Sequence, residues 1–222
     1  NSTFNHAIAV IEKYGLTDKC PAGIIDTLKK GTTGEISETP KEENKIFQNT
    51  ENIIIGSNQK ALKAAKAMAE SLGLQVEITS SEQIGEARDI GKRLAKKARK
   101  ALSVMHNERI CLISGGETTV TVKGSGKGGR NMELALSFAI EIEGVEGITM
   151  LSAGTDGNDG PTDAAGAIVD GETVEKARAI GLDPLEYLAN NDSYNFLKKI
   201  DGLFITGPTG TNVMDLQIIL VN

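Results

Sequence analysis

From residue 52 onward the chain repeats one pattern: a short apolar run breaks at Gly or Ser, and a helical segment follows. Asn52–Ile55 ends in Gly56-Ser57-Asn58 and leads into the Ala-rich stretch 59–73. Leu74–Thr79 alternates as a strand, and residues 81–103 carry a helical pattern. Ile110–Ser114 and Thr118–Lys123 read as strands, residues 131–143 as a helix and Gly147–Ala153 as a strand. Short helices near 172–180, 184–190 and 192–198 precede two closing strands near 202–206 and 215–221. Strands separated by helices need crossover connections. The order therefore predicts an α/β fold, a mostly parallel or mixed sheet flanked by helices, with largely parallel pairing the leading expectation. In open sheets of this kind, ligands sit where strand ends meet helix N-termini. Functional residues are expected in those loops.

The first fifty residues differ. Thr3 can cap a helix with Phe4, Ala7, Ile8 and Ile11 on one stripe, closed by Gly15. A second helix over 22–30 carries Ile24, Ile25 and Leu28 and is expected to stop at Gly31. Residues 32–51 are polar with one Pro and read as a linker or a long surface crossing. The chain is accordingly divided into 1–45, a helical end of a preceding domain with its linker, and 46–222, a carboxyl-terminal α/β domain. Asn1-Ser2-Thr3 runs straight into the first helix, the pattern of the interior of a longer polypeptide.

Composition removes several function classes. Hydrophobic residues at 39% and charged residues at 24% exclude disorder and collagen-like repetition. No apolar run approaches the ~20 residues of a membrane span, and no signal-peptide core opens the chain, so a soluble, cytoplasmic protein is expected. Cys20 and Cys111 form no disulfide framework, and Cys111 lies in the apolar run Ile110–Ile113 as a buried free thiol. A net charge of -6 with 4% aromatic residues argues against nucleic acid as partner. The basic run 92–100 reads as a solvated helix face. His6 and His106 have no Cys or acid cluster nearby and make no zinc pattern.

Four loops can carry chemistry. Gly115 and Gly116, after Ser114, free backbone N–H groups for an anion, and Glu117 beside Thr118 could hold a metal or a hydroxyl; a plain strand-connecting turn is the alternative. Gly124, Gly126 and Gly129 spell G-x-G-x-x-G, with Gly128, Arg130 and Asn131 following into a helix. This is not a Walker A loop, but its position suits a phosphate, and Arg130 could fork onto a carboxylate or phosphate. A mobile surface loop is the alternative. Thr155, Asp156, Asp159 and Asp163 lie in the third loop, where clustered aspartates fit Mg²⁺ held through phosphates and one or two carboxylates, or else simply form turns. Thr209 and Asn212 lie in the fourth, residues 206–215, whose small hydroxyl side chains suit phosphate or sugar-hydroxyl contacts. Residues 190–193 are a further candidate, explained equally well as a helix cap.

Taken together, residues 114–136 (SGGETTVTVKGSGKGGRNMELAL), 151–167 (LSAGTDGNDGPTDAAGA), 190–196 (NNDSYNF) and 206–218 (TGPTGTNVMDLQI) resemble the glycerate kinases of the MOFRL family. The likeness extends less strictly upstream through residues 38–62 to Tyr14-Gly15-Leu16. Met132 and Met214 stand where the family usually has Gln and Asn. The resemblance implies ATP-dependent phosphorylation of glycerate at its 2-hydroxyl. It also implies an amino-terminal Rossmann-like domain carrying an important Lys, with the site in the cleft between the domains, so that this chain alone is expected to be inactive. It points to Arg130 as the main cation. We assign Arg130, Asp156 and Asp163 to catalysis and Asp156 and Asp159 to Mg²⁺. Substrate and phosphates are assigned to backbone N–H groups of Gly115, Gly116 and the 124–129 loop, with Glu117, Thr118, Asn131, Thr155, Thr209 and Asn212. A homo-oligomer is left open. The rival readings are NAD(P)H-dependent hydroxypyruvate reduction, slightly favoured by G-x-G-x-x-G, and a non-catalytic small-molecule or nucleotide-binding module.

Overall fold

The computed structural model describes residues 2–104 and 109–222, so His106 lies outside the described residues. The chain divides into two compact units, Asn1–Ile54 and Ile55–Asn222. In the first, α1 (Phe4–Lys13) is capped by the Thr3 side chain, which accepts from the His6 N–H. The second helix, α2 (Ala22–Thr32), runs through Gly31 instead of stopping there. At Gly31 any Cβ would collide with the Phe4 ring, so the glycine serves close packing of α1 on α2. None of this unit's described residues is buried.

The second unit is a six-stranded sheet in the order β1-β2-β6-β3-β4-β5. Its strands are β1 (Gln75–Gln83), β2 (Ile110–Gly116), β3 (Ile148–Gly154), β4 (Gly166–Asp170), β5 (Leu203–Phe204) and β6 (Asp215–Val221). Its helices are α3 (Asn58–Ser71), α4 (Ala87–Val104), α5 (Arg130–Glu141), α6 (Thr173–Ala179), α7 (Pro184–Ala189) and α8 (Ser193–Lys198). The sheet is mixed, and the expectation of largely parallel pairing is corrected. Only β1 and β2 pair in parallel, because β6 inserts antiparallel between β2 and β3. The crossover from β2 through α5 to β3 still returns the chain in the same direction, as alternation requires, but to a strand two places away.

Other boundaries move for local reasons. Residues 118–123 form no strand: one bridge joins Thr119 to Glu86, and the Glu86 carboxylate takes the Thr121 hydroxyl and N–H. β1 continues to Gln83, so α4 starts at Ala87 and not near Ser81. Residues 52–55 lie outside any strand, and Ile53, Ile54 and Ile55 are exposed. β4, five residues long, carries no turn signal strong enough to announce it.

Alternation along β6 divides the core. Leu216, Ile218 and Leu220 face α3 with Leu62, Cys111 and Ile113, while Ile219 and Val221 join the larger cluster under α4 and α5. At Gly91 of α4 a Cβ would stand 2.5 Å from the Leu134 carbonyl oxygen and 3.1 Å from the Phe138 nitrogen. Glycine thus lets α4 lie directly on α5. Among the described residues no helix is long and apolar enough to cross a membrane.

Candidate active site

Register brings one end of the sheet into a row. Gln83 pairs with Gly116, Gly116 with Asp215 and Asp215 with Gly154, so the ends of β1, β2 and β3 and the start of β6 lie side by side. Over this row opens a cavity of about 980 Å³, within the size range of small-molecule sites. Of the residues expected from sequence, Gly116, Glu117, Thr118, Gly126, Gly128, Gly129, Arg130 and Asp159 line it. Glu133, Asn191 and Met214 line it too.

Arg130 opens α5, and Asp215, 1% exposed, opens β6. Its Nε donates to Asp215 Oδ2 at 2.6 Å and an Nη donates to Oδ1 at 3.0 Å, a bidentate fork. That hydrogen bonding raises the guanidinium pKa further, against its partial burial. The other Nη lies 3.2 Å from Glu117 Oε1. One edge of the guanidinium is thus fixed by a buried anion while the other faces an exposed carboxylate. Sequence reading missed Asp215. Its signal was an acid beginning a largely apolar strand.

Asp159, expected as a metal ligand, holds the start of α5. Its Oδ1 accepts from the Asn131 N–H at 3.0 Å and its Oδ2 from the Met132 N–H at 2.8 Å, so it caps α5 from another loop. Gly129 offers no side-chain cap of its own, and a Cβ there would collide with the Asp159 carboxylate. Burial pushes Asp159 up to about 6 despite these bonds. Asn131 is buried and bridges Asp159 to the Ser152 hydroxyl, which donates to Asn131 Oδ1 at 2.7 Å. It is a structural link and not a cavity group.

Much of the glycine loop's backbone is bonded within the protein. The amides of Lys123 and Gly124 donate to Asn191 Oδ1, Ser125 to Asn190 Oδ1, Gly126 to the Asn190 carbonyl and Lys127 to Asp192 Oδ1. These N–H groups hold the loop to residues 190–192. A Cβ at Gly124 would collide with the Asn190 backbone, which is why the loop is glycine-rich. With no strand before it and the amides of residues 123–127 bonded within the protein, this G-x-G-x-x-G lacks the context of a dinucleotide turn. Gly115 and Gly116 remain inside the β2–β6 ladder, and a Cβ at Gly115 would collide with Asn58.

Thr155, Asp156, Thr209 and Asn212 come together, but off the cavity lining. The Thr155 hydroxyl donates to the Met214 carbonyl at 2.6 Å, the Thr209 hydroxyl to the Thr155 carbonyl at 2.5 Å and Asn212 Nδ2 to Asp156 Oδ2 at 3.3 Å. They stitch the loop after β3 to the loop before β6. Asp163 also lies outside the lining, where the Tyr194 hydroxyl donates to it at 2.8 Å and lowers its pKa. Thr118 is different: it is 4% exposed, lines the cavity, and no described group hydrogen-bonds its hydroxyl.

This arrangement of strand-end loops around one forked arginine coincides with a family match over residues 110–215. The matching model is that of the MOFRL family. The chain is 48% identical over 223 residues to the D-glycerate 2-kinase of Thermotoga maritima, covering 100% of this chain and 50% of that protein. It is 39% identical over 228 residues to the glycerate 2-kinase of Pyrococcus horikoshii, covering 99% and 50%. The crystal structure of the Thermotoga maritima glycerate kinase superposes with a TM-score of 0.84 at 46% identity, covering 100% of this chain and 51% of that one. The chain spans about half the length of the curated relatives it matches. The MOFRL match contains the whole glycine loop, Arg130, and the third and fourth loops, and it ends on Asp215.

Proposed function

We propose that this chain is the carboxyl-terminal part of a glycerate 2-kinase, transferring phosphoryl from ATP to the 2-hydroxyl of glycerate and giving 2-phosphoglycerate in the cytoplasm. The amino-terminal domain of the same protein would supply the other wall of the site. The observation that carries this reading is the Arg130–Asp215 fork at the row of strand ends, inside a domain whose relatives bear the name glycerate 2-kinase. Phosphoryl transfer asks a protein chiefly for in-line positioning and for cations on developing charge. Asp215 orients the guanidinium, and its free edge takes the glycerate carboxylate or the transferring phosphoryl in place of Glu117. Thr118 lies on the same wall of the cavity.

Among the described residues no three His, Cys, Asp or Glu side chains converge as a metal cage. The residues fit a Mg²⁺ that keeps its waters and arrives with nucleotide phosphates, with exposed Glu117 as the carboxylate on the cavity wall. When bound, that ion neutralises phosphate oxygens. Asp156, two residues beyond the end of β3, remains a second candidate for it.

The test is glycerate-dependent ADP release from ATP and Mg²⁺ by this chain with and without the amino-terminal half, the product identified by phosphorus NMR. 2-Phosphoglycerate formed only with both halves is the expected result. No phosphorylated glycerate in either arrangement would overturn the reading.

A further inference from the structure

The buried Arg88–Glu133 pair lies between α4 and α5, and neither residue has a part in the chemistry above. Glu133 is 2% exposed; its Oε1 accepts from Arg88 Nε at 3.0 Å and an Arg88 Nη at 2.6 Å. Arg88 also donates to the Leu188 carbonyl at 3.4 Å, and the Ser137 hydroxyl donates to the Arg88 carbonyl at 2.7 Å. The pair therefore ties α4, α5 and α7 at one point. Glu133 Oε2 then accepts from Asn191 Nδ2 at 2.8 Å. Asn191 Oδ1 in turn accepts the Lys123 N–H at 2.8 Å and the Gly124 N–H at 3.0 Å.

We propose that Asn191 is a positioning residue: anchored on the Arg88–Glu133 pair, it sets the conformation of the glycine loop that walls the cavity. Residue type and backbone agree with this role. Asn191 has φ 53°, the left-handed region where Asn is among the few tolerated side chains, and it is 6% exposed. A carboxylate buried as deeply as Glu133 is costly unless fully paired, and here the pairing runs on through Asn191 into loop amides. The loop approaches backbone to backbone, since a Cβ at Gly124 or Gly126 would meet Asn190 or Asp192. A shift of the asparagine therefore moves Gly126 and Gly128 in the cavity wall. The inference concerns the loop and stands whichever ligand the cavity takes.

The test is amide hydrogen exchange on the 222-residue chain, read at Lys123 and Gly124, with the core amide of Phe138 as the global reference. Asn191→Gly keeps the backbone conformation and removes the side chain; exchange at Lys123 and Gly124 should quicken about tenfold or more, with Phe138 much less affected. Asn191→Asp sets a second carboxylate against Glu133 and should do the same. Adding Glu133→Gln to Asn191→Asp exchanges donor and acceptor across that hydrogen bond and should restore protection to within about threefold. Where Asn191→Gly does not fold, the Asn191→Asp variant with and without Glu133→Gln decides. Unchanged loop exchange in Asn191→Gly, equal loss at Phe138, or a double variant no better than Asn191→Asp alone would each overturn the proposal. None of these readouts depends on kinase activity.

Discussion

Asp159 caps α5 with both carboxylate oxygens, yet its burial outweighs those bonds and lifts its pKa from 3.8 to about 6. Between about pH 4 and pH 6 the folded state therefore holds a proton that the unfolded state has released, and stability falls as pH rises through that window. This one group should contribute roughly 2–3 kcal/mol of slope. Urea unfolding of the wild type and Asp159→Asn across pH 4–7 should show their stability difference shifting towards the wild type as pH falls; parallel curves would contradict it. Thr118 makes a complementary case. A buried hydroxyl with no described partner adds nothing to folding, so Thr118→Val should leave thermal stability equal or raise it by about 1 kcal/mol. A clear loss of stability would mean that Thr118 is structural.

Among the elements, what the sequence made legible was local. Thr3 as a cap, the apolar stripe of α1, and the Gly that ends or follows β2 and β3 all act within a few residues, and each appears where expected. Sheet order was not legible, because nothing in residues 215–221 says that they insert between β2 and β3. The same limit governed the site. Arg130 could be picked out from its loop, but its partner lies 85 residues away, and the loop's glycines looked like a phosphate cradle because their contacts with residues 190–193 span 65 residues or so. Asp156 and Asp159 looked alike in sequence and differ only in what folds against them. Gly116 is a test at this scale. It has φ +143°, and a Cβ would meet the Gln83 backbone, where β1 and β2 end together. Gly116→Ala should cost about 3 kcal/mol or more by chemical denaturation. A change under about 0.5 kcal/mol would show that this end of the sheet is looser than described.

Across the whole molecule, the α/β unit sets a cavity at one end of its sheet, with a forked arginine held by a buried aspartate on its wall. Core and site are built from the same register: the pairing that aligns Gly116, Asp215 and Gly154 also stacks Ile219 and Val221 under α4 and α5. The charge on this wall bears on how it works. Arg130 already faces two carboxylates, Asp215 and Glu117, so an anionic ligand gains most when Glu117 swings aside. Glu117→Gln should therefore tighten binding of glycerate itself several-fold in titration calorimetry, and an unchanged or weaker affinity would argue that Glu117 does not compete. The most direct test of the central claim is the rate of 2-phosphoglycerate formation by Arg130→Lys, with both halves of the protein present. Lys keeps the charge beside Asp215 but gives up the fork. Turnover is expected to fall about 100-fold or more in a folded protein. Wild-type turnover in that variant would contradict it.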